Sequence, residues 1–133
     1  MADCALAIHT ENVTVTELVG VYHANGGILG EAAYVIGKVF GRAHCSLCDV
    51  THSPIRRKAS WDAFVADCGI PFRLLHLNEL DSDLSRAVDG RSPVVLGRSN
   101  GEWVRVLEPD DIDAVHGDVA QFEGSLAKRL AAL

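Results

Sequence analysis

Residues 92–107 read Ser92-Pro93-Val-Val-Leu-Gly-Arg-Ser-Asn100-Gly101-Glu-Trp-Val-Arg-Val-Leu107. Two runs of β-branched and apolar residues flank Asn100-Gly101, the dipeptide that supplies the positive φ angles of a type I′ hairpin turn. The stretch predicts a β-hairpin with strands at Val94–Gly97 and Trp103–Leu107. Its neighbours on either side then decide what kind of sheet the hairpin joins.

Upstream, Phe72 to Leu77 reads as a strand opened by Pro71. Asp81 is placed to cap a short helix over Asp83–Val88, stopped by Gly90. Trp61, Phe64, Val65 and Cys68 share one face of an earlier helix that ends at Gly69. Further back, Val13 to His23 is rich in Val, Thr and Tyr and predicts a first strand, centred on Leu18–His23. After Asn25-Gly26-Gly27, the residues Ile28, Ala32, Val35, Ile36, Val39 and Phe40 form one apolar helical stripe, ended by Gly41. Downstream of the hairpin, Val119, Phe122, Leu126 and Leu130 share one side of a final helix, with Lys128 and Arg129 near its C-terminus. The expected order is strand, helices, strand, short helix, hairpin, helix. That order predicts a single α/β domain over residues 1–133, with a mixed sheet of about four strands flanked by helices.

Composition narrows the function classes. At 133 residues and 48% apolar content, the chain is sized and composed as one globular domain. A formal net charge of −6 argues against a general nucleic-acid binder, which needs a basic face. The N-terminus Met-Ala-Asp-Cys-Ala-Leu-Ala-Ile lacks the basic n-region and apolar h-region of a secretory signal. The most apolar stretch, Gly26 to Phe40, carries Glu31 and Lys38 and is too short to span a bilayer. The expectation is a cytoplasmic chain with no nucleic-acid or membrane partner, acting on an unidentified protein or small molecule. A structural disulfide is not expected in a reducing compartment, so paired cysteines point there to metal or reversible redox work.

The chemistry concentrates in Cys45-Ser-Leu-Cys48-Asp-Val-Thr-His52. Residues three and four apart share a helix face, so Cys45, Cys48 and His52 could be presented together. Two thiolates and an imidazole are the donor types that select zinc or copper(I). Three donors fall one short of a structural zinc site, and His23, Asp49, water or a partner would complete the shell. The same C-x-x-C spacing serves dithiol redox chemistry, with Cys45 as the attacking thiolate and Cys48 as the resolving thiol. Lys38, Arg42, Arg56, Arg57 and Lys58 cluster around the motif, and cations favour thiolate over thiol. The plain alternative is a partner-binding domain in which Cys45 and Cys48 are small buried residues and His52 closes a turn. His23 is the best remote partner for the motif, because open α/β sheets form their crevices at strand ends. Cys68 reads as a small core residue on the Trp61 face, and Cys4 is assigned no role. His9, His76 and His116 read as structural or surface residues, and His44 falls elsewhere on the helix from Cys45. Gly26, Gly27 and Gly30 complete neither a Walker nor a G-x-G-x-x-G pattern.

The βα-β-αββα order resembles the thioredoxin-like fold over most of the chain. In that fold a proline, usually cis, opens the strand leading into the terminal hairpin, and Ser92-Pro93 stands at that place. The resemblance implies a cis Ser92-Pro93 bond and a parallel pairing of the first strand with the Phe72 strand. The family's active dithiol directly follows the first strand. Here His23-Ala-Asn-Gly-Gly27 holds that place, and C-x-x-C arrives only at Cys45. The string Cys-x-Leu-Cys-x-x-Thr-His also resembles one in bacterial proteins of unassigned function, and so implies no chemistry of its own.

Overall fold

The structure, a computed structural model, describes residues 14–23, 46–52 and 58–133. Four strands, β1 (Val15–Val21), β2 (Phe72–Leu75), β3 (Val94–Ser99) and β4 (Glu102–Leu107), form one sheet in the order β2-β1-β3-β4. β1 runs parallel to β2 and antiparallel to β3, and β3 and β4 are antiparallel. The parallel pairing required by the predicted connectivity is therefore present, with Leu18 beside Phe72 and Val21 beside Leu75. Among the described residues five helices accompany the sheet: α1 (Ser46–Thr51), α2 (Ala59–Cys68), α3 (Ser82–Val88), α4 (Pro109–Asp113) and α5 (Val119–Ala131).

The elements follow from local chemistry. Asn100 and Gly101 both take positive φ, 52° and 77°, and close the β3–β4 hairpin as its sequence demanded. Asp81 caps α3 by accepting from the Leu84 N–H at 2.8 Å, and Asp118 caps α5 through the Gln121 N–H at 2.9 Å. The Ser92-Pro93 bond is cis, as the resemblance implied. The expected helix over residues 28–40 lies outside the described residues.

Several element bounds differ from expectation, and one helix is new. The second strand stops at Leu75, because His76 opens a 3₁₀ turn over Leu77–Glu79 whose first N–H is taken by the Glu79 carboxylate. α3 starts at Ser82 and reaches its left-handed stop at Asp89 (φ 52°), one residue before Gly90. α4 was not expected at all. Its five residues are too few to show an apolar period, although Pro109 at its first turn is a good helix opener.

Alternation along β1 supplies two cores. Leu18 and Tyr22 face a cluster with Leu47 and Val50 of α1, Trp61 and Phe64 of α2, and Phe122 and Leu126 of α5. Val19 and Val21 face the other side, against Leu84 and Val88 of α3 with Val94 and Leu96 of β3. Trp61 is the hub of the larger core, with ring centroids 5.2 Å from Phe64, 5.2 Å from Phe72 and 5.4 Å from Phe122. Such edge and tilted contacts each add about 0.5–1.5 kcal/mol beyond area burial. Gly20 explains how α1 reaches the sheet. A Cβ there would lie 3.2 Å from Leu47 Cδ2 and 3.0 Å from Leu74 Cδ2, so both leucines would have to give way.

Arg105 ties the smaller core together. Its guanidinium donates to the carbonyls of Ala87 and Val88 at 2.8 Å and of Arg91 at 3.0 Å, and clasps the Glu108 carboxylate through Nε and Nη. A cation thus sits on the carbonyls that end α3, where the helix dipole favours it. The same guanidinium holds the Glu108 carboxyl below the ordinary carboxylate value of 4.5. A depressed carboxylate stabilises the fold above its ordinary value and loses that contribution as pH falls through the depressed one. Arg105→Met should cost about 2–3 kcal/mol at neutral pH, from the loss of hydrogen bonds made by a charged group. Urea unfolding at pH 7 and pH 3 should also show a smaller acid loss in the variant than in the wild type.

Candidate functional site

α1 presents the second half of the cysteine motif. Leu47 and Val50, each 0% exposed, fasten it to the larger core. Its last helical bond, from the His52 N–H to the Cys48 carbonyl at 2.8 Å, sets these two residues one turn apart. Cys48 is a reduced thiol, 8% exposed, and His52 is half-buried. Cys45 lies outside the described residues. So do Lys38, Arg42, Arg56 and Arg57 of the basic cluster. Lys58 is described and is tied down: its N–H donates to the Thr51 carbonyl at 2.8 Å and its Nζ to the Gly117 carbonyl at 2.6 Å.

The structure adds three residues that the spacing did not suggest. Thr51, 0% exposed, has its hydroxyl 2.6 Å from His52 Nδ1 and 2.8 Å from the hydroxyl of Tyr22. The Tyr22 hydroxyl is itself 3.5 Å from His52 Nδ1, and the two rings meet edge-on with centroids 6.0 Å apart. His76 packs against Tyr22 at 5.0 Å and is anchored by Glu79, whose carboxylate accepts from its backbone N–H and lies 2.6 Å from its Nδ1. The backbone bond and then the side-chain bond to His76 hold the Glu79 carboxyl below its ordinary value. His76, expected to be structural or surface, packs as one wall of this group.

The group gathers where the parallel strands end. Tyr22 follows the last residue of β1, and His76 follows β2. The described part of the motif, Cys48 to His52, is thereby tied to the C-terminal end of β1. His23 stands at the same end but is exposed and bonds the Ser92 hydroxyl at 2.8 Å, beside Pro93. Among the described residues no group of three or more His, Cys, Asp or Glu side chains is placed to hold a metal ion.

Cys68 departs from expectation in its chemistry. It is 2% exposed on the Trp61 face, as read from the helix pattern, but it is disulfide-bonded, with a partner outside the described residues. The expectation that this chain would carry no disulfide is overturned at that position. A cystine sulfur has no thiolate to offer, so Cys68 is not the fourth metal ligand. No helix among the described residues is long and apolar enough to cross a membrane.

Thr51 gives the site a direct stability test. Thr51→Val keeps the buried volume but deprives Tyr22 and His52 of a shared hydrogen-bond partner, a loss worth about 1–3 kcal/mol. Urea unfolding should show that destabilisation, and Thr51→Ser should recover most of it. Searches with protein-family models, against curated proteins and against solved structures find no match to this chain.

Proposed function

We propose that this chain is a thioredoxin-like thiol–disulfide redox protein working through Cys45 and Cys48. The observation that carries the reading is the coexistence of two cysteine states in one apolar cluster, a reduced thiol at Cys48 and a disulfide at Cys68. In a cytoplasmic location, a disulfide is as a rule transient, catalytic or sensing rather than structural. The sheet order and the parallel β1–β2 pair support the scaffold half of the proposal.

The exchange needs no oxidant beyond the substrate disulfide. One motif thiolate attacks a sulfur of that disulfide, forming a mixed disulfide and releasing the first substrate thiol. The second motif thiol gives up its proton, attacks the mixed disulfide and releases the second substrate thiol, leaving a Cys45–Cys48 bond. Substrate is reduced by two electrons and the motif is oxidised by two. His52, one turn after Cys48, is the base that takes the Cys48 proton. With a model peptide disulfide as substrate, peptide-resolved mass spectrometry should find a Cys45–Cys48 link in the wild type. Cys48→Ala should stall with substrate attached at Cys45. Unimpaired turnover in Cys48→Ala would sink the proposal.

One observation favours zinc instead. His52 is held through Nδ1, and metal-ligating histidines are commonly oriented by a bond to their second nitrogen. In that reading Cys45, Cys48 and His52 are the protein ligands. Elemental analysis of protein purified without chelator or added metal should then find about one equivalent of zinc, lost in His52→Ala. The redox proposal expects no stoichiometric metal.

A further inference from the structure

We propose that Tyr22 and Thr51 are positioning residues that hold His52 for its proton exchange with the Cys48 thiol. This inference rests on the redox reading and deepens it. Thr51 is fully buried on α1, where a valine of equal size would carry no polar cost. Its hydroxyl instead joins the Tyr22 hydroxyl at 2.8 Å and His52 Nδ1 at 2.6 Å. Tyr22, 3% exposed, is in turn set between two imidazoles, His52 at 6.0 Å and His76 at 5.0 Å. His76 is kept in place by Glu79. Three separate segments, at the ends of β1, β2 and α1, thus converge on the orientation of one ring.

The direction of the relay follows from the task. If His52 Nδ1–H donates to Thr51 Oγ1 and Thr51 donates to the Tyr22 oxygen, the proton from Cys48 Sγ arrives at Nε2. The imidazolium keeps the same Nδ1–H bond to Thr51, so no buried hydroxyl has to turn when the proton comes or goes. When the leaving thiolate departs, the proton returns to it from Nε2, and the balance closes. Such preorganisation lowers the cost of proton transfer without touching the substrate. Of the described charged groups beside α1, Lys58 is engaged by the Gly117 carbonyl.

The test uses the full chain, a model peptide disulfide and a fixed neutral pH. The ¹⁵N signals of His52 should report the Nδ1–H tautomer in the wild type and lose that signature in Thr51→Val. Starting from reduced protein, the single-turnover rate of peptide-thiol release should fall about tenfold in Tyr22→Phe and in Thr51→Val, and stay near wild type in Thr51→Ser. His52→Gln should be at least as slow, and adding Thr51→Val to it should slow it no further, since Thr51 acts through the imidazole. Additive losses in the double variant, wild-type rates in Tyr22→Phe and Thr51→Val, or an Nε2–H tautomer in the wild type would overturn the inference. If Cys48→Ala turns over normally the redox reading itself falls. If Cys48→Ala is inactive while the relay variants are not, only the positioning role falls.

Discussion

β1 has a neighbour on both edges, parallel on one side and antiparallel on the other, and is covered on both faces. That double constraint organises the molecule. A parallel neighbour cannot be reached by a tight turn, so the chain between β1 and β2 has to cross over a face of the sheet, and α1 and α2 lie on that path. From Leu18 to Val21, covering on both faces restricts β1 to Leu, Val and Gly, while Thr16 and Glu17 stand at its more open start. At the other end polar side chains return at Tyr22 and His23. The location of the candidate site is thus a by-product of how the central strand is buried.

The same constraint reconciles the motif with the fold. In sequence, Cys48 and His52 stand far from the position directly after the first strand. In space, the bonds from Thr51 and His52 to Tyr22 bring that segment back to the end of β1. The absence of a side chain at Gly20 is part of the arrangement, because it lets Leu47 settle against the strand. Distance along the chain and distance from the strand end are different quantities, joined here by a short helix.

What was legible in the sequence had a local cause. The hairpin shows in its alternation and in Asn100-Gly101, the cap of α3 in Asp81, and the final helix in the recurrence of Phe122, Leu126 and Leu130. The motif itself was legible as a set of donors. Its surroundings were not, because Tyr22, Thr51 and His76 belong to three segments with no shared period. One signal was overlooked: the rule that strand ends hold crevices was applied to His23 but not to His76, which follows the parallel neighbour. The disulfide at Cys68 was missed for another reason. Its apolar helix face correctly indicated burial, but burial says nothing about oxidation state.

The register of β3 places its first residue, Val94, opposite Val21, and its last, Ser99, opposite Val15. The Asn100-Gly101 turn therefore emerges at the pole away from Tyr22 and His52. A fluorophore, affinity handle or surface tether inserted at that turn would leave the pole that carries Tyr22 and His52 turned outward. The protein could then be immobilised in one orientation and challenged with successive thiols or metals while its core strand stays undisturbed.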